Sequence, residues 1–433
     1  MSSRINTGSP SFRFVLIAAL TLASLIPLGL VSCVASDRDR NYQEAVSSVG
    51  RSWGLEQRIS GPVILIPIED EDDEDFVAIM PEDLDVRMAA NYEIRNRGIF
   101  AVPVFEVEVV ATGQFPAIDF AALVEDFGGL RLNQAMVSVG IEDTRGIRSA
   151  SLRMYGRDAD LATLPDGPFG SGVAAPFDSA WEGLDEPELA GGAFEVNLEL
   201  RGTRRFSVVA NGDTSSLAVE SNWPHPSFSG RFLPDEREVG PDGFTASYAV
   251  SGLARGFPSI LRASSSDRNA FFNNESVGFD VFEPVNLYTS VGRSIKYGIL
   301  FVALTLVGLL CLELSTGIRF HFVQYGVTII ALALFFMTLL ALAEYIGFGF
   351  SYLISALLLT AMITWYAHGT IRRRRLTALV ASMLVALYAV MYLLLRLEAY
   401  SLLVGTVVLL LTLAVLMRTT RRLAPGTEGE SGS

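Results

Sequence analysis

Six apolar stretches constrain this chain more than any other feature: residues 12–34, 295–312, 322–343, 348–366, 376–395 and 399–417. A hydrocarbon core about 30 Å thick needs roughly 20 residues of helix at a rise of 1.5 Å each. Each stretch is close to that length, and the few ionisable residues lie at the rims, Arg13 in the first and Lys296 in the second. Backbone polar groups cannot be satisfied by lipid, so stretches like these fold as helices. Half of the 433 residues are apolar, and the excess sits in these runs, while the segment between the first and second has ordinary globular composition. The expected fold class is therefore an all-α transmembrane bundle of about six helices joined to a large, mainly-β extracytoplasmic domain of sandwich type. The expected organisation is a cytoplasmic N-terminus at 1–11, an anchor at 12–34, a periplasmic β-rich domain at 35–294, a five-helix bundle at 295–417 and a cytoplasmic tail at 418–433.

Arginine sets the expected orientation, because basic residues in short loops stay on the cytoplasmic side. The decisive loop is Arg372, Arg373, Arg374 and Arg375 between the fourth and fifth stretches. Placing it inside also puts Arg4, Arg13, Arg319, Arg418, Arg421 and Arg422 inside and exports the long middle segment. The expected location is a bacterial inner membrane, with both termini cytoplasmic and the large domain in the periplasm. Leu30, Val31, Ser32 and Cys33 resemble a lipoprotein cleavage site, but the hydrophobic run exceeds the usual 7–15 residues of such a signal, so an uncleaved anchor is expected.

Within the middle segment apolar residues alternate with period two, the pattern of strands with one face inward. Strands are expected at 63–68, 99–110, 135–141, 194–200, 206–210 and 246–253, separated by turn-forming clusters such as Asn211-Gly212-Asp213 and Pro241-Asp242-Gly243. These read as antiparallel sheets packed as a sandwich. A helix is expected at 40–50, and the stretch 165–187 reads as a surface loop or linker.

Composition excludes several functions. A net charge of −14, with no basic patch carrying interleaved aromatics, disfavours nucleic acid. The two cysteines, Cys33 and Cys311, lie in or beside apolar runs, which offers no disulfide framework and no thiolate metal site. Three histidines, His225, His321 and His368, are too few and too scattered for a zinc site. The acidic run from Glu69 to Asp75 lacks the alternating carboxylates and glycine of a calcium loop and reads as a solvated hairpin tip. His225 with Ser227 or Ser229 has no nucleophile-elbow context, and there is no phosphate-binding or dinucleotide signature. No cofactor and no enzymatic activity are expected.

Two groups of residues stand out. Trp223, Pro224, His225, Pro226, Ser227 and Phe228, followed by Gly230, Phe232, Leu233 and Pro234, form a proline-fixed segment displaying aromatics and an imidazole. It reads either as a domain corner or as a binding surface. In the membrane stretches Lys296, Glu313, Gln324 and Glu344 are polar residues near span ends, whereas the midplane positions around Thr305, Ala333, Leu358, Ala386 and Leu409 carry no ionisable group. Coupled transport usually places charge near the midplane, so interfacial anchoring is the favoured role for the four. Gly308, Gly326 and Gly405 could support oligomerisation.

The chain resembles the CreD family of inner-membrane proteins. The resemblance rests on Trp53-Gly54, Gln57 and Gly61-Pro62, on Arg97-Gly98-Ile99-Phe100 leading to Val102-Pro103-Val104-Phe105, and on Gly113-Gln114-Phe115. It continues through the 223–228 segment with Gly230 and Phe232-Leu233-Pro234, then Gly243-Phe244, Arg293, Lys296-Tyr297, Glu313, Gln324-Tyr325, Glu344, Gly347-Phe348 and Tyr352. One departure is Ala343-Glu344-Tyr345, where the family often has Ser-Glu-His. The resemblance implies a part in cell-envelope integrity and the envelope-stress response, with links to colicin tolerance and β-lactam susceptibility. It carries over no catalytic residue. Two functional readings follow: a non-enzymatic factor whose β-domain binds an envelope protein or cell-wall component, or a membrane-embedded enzyme or transporter of lipid-linked or small envelope molecules.

Overall fold

The computed structural model describes residues 10–69, 75–176, 192–264, 276–281, 287–318, 320–396 and 401–421. The chain divides into two compact units, one made of Met1–Asn41 and Val285–Ser433, the other of Tyr42–Pro284.

The first unit is helical. It contains α1 (Pro10–Ala23) and the start of α2 (Leu25–Trp53). The short α3 (Phe120–Phe127) lies in the other unit, and the bundle resumes with α4 (Leu287–Thr316), α5 (Phe322–Ile346), α6 (Phe348–Ile371), α7 (Arg374–Arg396) and α8 (Ser401–Thr420). Among the described residues six helical stretches are long and apolar enough to cross a membrane, and each contains most of one run expected from the sequence. The break between α1 and α2 falls at Ser24, three residues before Pro27, whose ring has no N–H to give and crowds the carbonyl of Ala23. The Ser24 hydroxyl donates to the Thr21 carbonyl at 2.6 Å and so satisfies one backbone acceptor at the break. Helix α4 packs against α1, α5, α7 and α8, and α6 lies between α5 and α7. Gly308 of α4 allows the approach of α7, since a Cβ there would stand 2.3 Å from the Met383 sulfur, whereas Gly326 and Gly405 face open space.

Turn chemistry punctuates the bundle. His321 caps α5, its Nδ1 accepting from the Val323 N–H, while Gln324 Oε1 accepts from the His321 N–H at 2.9 Å. Gly347 at φ 76° joins α5 to α6, and Arg372 at φ 51° closes α6 with its N–H on the His368 carbonyl.

The second unit is built on strands. They are β1 (Gln57–Pro67), β2 (Asp75–Ile79), β3 (Asp83–Arg97), β4 (Phe100–Gln114), β5 (Met136–Ile141) and β6 (Ile147–Met154). Then come β7 (Arg157–Ala159), β8 (Ala162–Gly167), β9 (Gly170–Pro176), β10 (Ala193–Thr203), β11 (Arg205–Val209) and β12 (Thr214–Ser221). The last are β13 (Pro226–Gly230), β14 (Glu236–Gly240), β15 (Gly243–Ser251), β16 (Ile260–Ser264) and β17 (Ser276–Val281). One sheet runs β13-β17-β11-β1-β5-β9-β8, with β2 on β1 and β16 on β2; the other runs β14-β15-β12-β3-β4-β10-β6-β7.

The two sheets share one core. Ile64, Phe206 and Phe279 of the first meet Val86, Phe105 and Leu198 of the second in a single buried cluster. Strand β1 is buried on both faces, because Val63 and Leu65 point into a second cluster with Met80, Val209 and Leu261. That explains why the β1 sequence is a continuous apolar run, while β12 alternates strictly between exposed and buried.

Three expectations need correction. The sheets are not wholly antiparallel: β1 pairs with β11 and β12 with β3 in parallel. Both pairs join strands far apart in sequence, where a tight hairpin does not dictate direction. Residues 165–176 of the expected 165–187 loop belong to β8 and the β9 hairpin partner, and the rest of that stretch lies outside the described residues. The helix expected at 40–50 is part of the longer α2, which continues to Trp53 because Tyr42, Val46, Val49 and Trp53 pack on Val102 and Val104 of β4. The acidic run lies between the paired strands β1 and β2, but residues 70–74, like Arg4, Arg319 and Arg422, fall outside the described residues.

Candidate functional site

The 223–228 segment follows β12 and opens β13. Asn222 replaces a ladder partner with its side chain: Oδ1 accepts from the Tyr92 N–H at 2.7 Å, and Nδ2 donates to the Tyr92 carbonyl at 3.1 Å. Trp223 then turns inward. Its ring stands 5.6 Å from Tyr92, which stacks on Phe105 and Phe279, and its indole N–H donates to the His225 carbonyl at 3.0 Å. Phe228 also faces the core, edge-on to Phe244 at 5.5 Å, with the Arg237 guanidinium 5.7 Å from its ring centre. Burial, and then the charge of Asp280, push the Tyr92 hydroxyl well above its ordinary pKa.

What remains outward is the His225 imidazole and a strand edge. Among the described residues strand β13 pairs with β17 alone and ends its sheet. The Arg231 N–H donates to the Ser276 carbonyl, which fixes the alternation: residues 227, 229 and 231 turn backbone groups toward β17, and Phe228 turns its own away. Gly230 ends the strand at φ 108°, where a Cβ would meet the Ser276 carbonyl oxygen at 2.0 Å, so only glycine fits.

The four polar residues of the helical unit are not one cluster. Glu313 lies near the end of α4 and is buried; it forms an ion pair with Arg13 of α1 and accepts from the Tyr325 hydroxyl at 2.6 Å. Gln324, one residue from Tyr325, donates to Thr370 Oγ1 at 3.0 Å and ties the start of α5 to the end of α6. Glu344 is at the far end of α5, about 30 Å away at 1.5 Å per residue, where it accepts from the Tyr288 hydroxyl at 3.3 Å and faces the Arg38 guanidinium at 3.8 Å. Lys296 is exposed on α4.

The ion pairs share a pattern that the sequence reading missed. Arg13 and Arg38 are as far apart along their helices as Tyr288 and Glu313 are along α4, so the first two helices and α4 run antiparallel with a carboxylate site at each end. The available signal was Arg13 itself, a charge inside an apolar run.

A second feature missed from sequence is a polar stitch between the sheets. Gln57 of β1 is buried, and its Nε2 donates to the Asp143 carbonyl at 3.0 Å and to the Arg201 carbonyl of β10 at 2.9 Å. Asp143 in turn accepts from the Leu55 N–H and from the Arg145 side chain, both at 2.8 Å. Burial raises the Asp143 carboxyl, but the Arg145 guanidinium and the two backbone N–H groups outweigh it and hold the pKa below its ordinary value. Beside the stitch, Trp53 is held between Arg95 and Arg201, whose guanidinium carbons stand 3.4 and 3.9 Å from its ring centre. Gly54 follows at φ 138°, with the Arg201 carbonyl 2.3 Å from where a Cβ would stand. Trp53, Gly54 and Gln57 thus meet at one structural junction. Among the described residues no group of three or more His, Cys, Asp or Glu side chains could hold a metal ion.

The family model for "Inner membrane protein CreD" matches residues 9–424. The chain is similar to the Inner membrane protein CreD of Escherichia coli (strain K12), 29% identical over a 434-residue alignment that covers 96% of this chain and 94% of that protein.

Proposed function

Because the chain belongs to the CreD family of inner membrane proteins, we propose that it is a non-enzymatic envelope-integrity factor whose β-rich unit binds an envelope protein or cell-wall component in the periplasm. The observation that carries this reading is the open edge of β13. Trp223 and Phe228 pack against the core and hold the strand in place, while among the described residues its outward backbone groups meet no second strand and the His225 ring is exposed. Strand addition to such an edge supplies affinity through main-chain hydrogen bonds and selectivity through adjacent side chains. The periplasmic assignment is supported by Arg372, Arg373, Arg374 and Arg375, all exposed at the turn between α6 and α7, as expected of a cytoplasmic loop.

Phe228→Pro removes an outward N–H together with the core-facing ring, so Phe228→Ala, which removes the ring alone, is its control. Site-specific photo-crosslinking from Ser229 in cells should give a discrete adduct that Phe228→Pro and His225→Ala reduce and Phe228→Ala does not, while the tryptophan fluorescence of each purified variant stays native. Unchanged adducts, together with full complementation of a deletion strain, would rule the edge out. A reporter fused after Arg375 should read as cytoplasmic, and an external signal would overturn the topology. The pairing of Glu313 with Arg13 and of Glu344 with Arg38 supports an anchoring role for these carboxylates. Glu344→Gln should therefore leave complementation intact, and loss of function at normal abundance would favour a membrane-embedded enzyme or transporter instead.

A further inference from the structure

We propose that the groove between α6 and α7 is a binding site for one anionic phospholipid, with an acyl chain in the groove and the phosphate on Arg396. The groove holds about 580 Å³ and is lined by apolar residues including Phe350, Leu353, Leu357, Val385 and Ala389. That volume falls within the roughly 300–1,000 Å³ of ordinary ligand pockets. It starts near Gly349 on α6 and Arg396 on α7 and reaches Thr360 and Val385. At 1.5 Å per residue each wall is about 16 Å long, half of a hydrocarbon core of about 30 Å, which is the depth of one leaflet.

The ends of the groove differ in chemistry. Its deep end is apolar apart from Thr360, and its mouth carries Arg396 and Tyr392. The Arg396 Nε donates to the Tyr392 hydroxyl at 3.1 Å and its guanidinium carbon stands 5.5 Å from the Tyr392 ring centre, which orients the group at the mouth. Among the described residues no carboxylate pairs with Arg396, in contrast to Arg13 and Arg38. A guanidinium has a planar donor fork suited to phosphate oxygens. The floor is fixed rather than collapsible: Tyr352 donates to the Tyr388 carbonyl at 2.7 Å, and Tyr388 packs on Phe301 and Phe335. A slot one leaflet deep, apolar along its length and cationic at its mouth, fits a phospholipid of net negative charge better than a zwitterionic one, whose own cation offsets its phosphate. Under the topology proposed above, that lipid belongs to the outer leaflet.

The test uses the full chain reconstituted in phosphatidylcholine vesicles containing a few mole per cent of phosphatidylglycerol with a diazirine in mid-chain, or the matching diazirine phosphatidylcholine. After irradiation, labelled positions are read by peptide mass spectrometry. Phosphatidylglycerol should label Leu353, Leu357 and Val385 above the exposed Leu410 and Leu411 of α8, and about fivefold more than phosphatidylcholine does, the preference expected of one basic group at a lipid surface. Arg396→Gln should abolish that preference. Ala389→Trp, at an exposed position on the groove wall, should reduce groove labelling and leave α8 labelling unchanged. Groove labelling no higher than on α8, equal labelling by the two lipids, indifference to Ala389→Trp, or protection of the groove by a second copy of the chain would each overturn the proposal. None of these readings depends on a partner at β13, so the groove and the proposed function fail separately.

Discussion

Replacing Gln57 with methionine tests whether one amide joins the two sheets. Methionine matches glutamine in length and lack of branching, so the substitution opens little space and acts through hydrogen bonding. It removes both Nε2 donors, to Asp143 and to Arg201, and also the Oε1 that accepts a long bond from the Asp143 N–H at 3.4 Å. The Asp143 carbonyl still accepts from the Gly146 N–H at 3.0 Å, so its loss is that of one ordinary bond, about 0.5–1.5 kcal/mol. The Arg201 carbonyl is left without that donor beside a buried junction, at about 1–3 kcal/mol. Together these predict destabilisation of about 1.5–4.5 kcal/mol. The assay is urea denaturation of the detergent-solubilised chain followed by tryptophan fluorescence, with Trp181 and Trp365 replaced by phenylalanine so that Trp53 and Trp223 report. The midpoint should fall with the slope unchanged. Gln134→Met, at an exposed position, should shift stability by less than about 0.5 kcal/mol. A Gln57→Met loss no larger than that of the control would refute the stitch.

Three further outcomes are expected. The Asp143 carboxyl is held below its ordinary pKa, so its contribution to stability is fully present above the unfolded-state value of about 3.9 and is lost as pH falls through the folded value; Asp143→Asn should flatten that acid limb in a pH series of urea midpoints. The Tyr92 hydroxyl is buried without a hydrogen-bond partner among the described residues, so Tyr92→Phe should leave the urea midpoint within about 1 kcal/mol of wild type or raise it. In a double-mutant cycle on thermal unfolding, Arg13→Gln and Glu313→Gln should each lower stability and couple by about 0.5–3 kcal/mol, whereas additivity would show the pair to be energetically idle.

The helices were legible because lipid imposes one rule on length and polarity, and each expected run lies within or nearly within an observed helix. Strands β1, β4, β5, β10, β11 and β15 were legible from apolar alternation or continuity. The unexpected ones are instructive: β12 carries Ser215 and Ser221 among its buried positions, and β3 ends in five exposed residues, so neither presents a clean apolar face. Parallel pairing was hidden because period two is blind to direction. At the 223–228 segment composition marked an unusual place but not which way it faces; Trp223 and Phe228 point inward because Tyr92 and Phe244 are there to receive them. The Gln57 stitch depends on carbonyls 86 and 144 residues away, which no local pattern encodes.

Arg13 and Glu313 are separated by 300 positions. At a synthesis rate of about 5–20 residues per second, roughly 15–60 s pass between the emergence of the first and of its partner. Throughout that interval the opening helix resides in the bilayer with its arginine answered only by water and headgroups, so its insertion must stand on its own apolar length. The ion pair cannot guide that first insertion. It acts late, as a latch that fixes the register of a helix already in place, and a chain cut short before α4 would be expected to reach the membrane but not to hold its first helix in position.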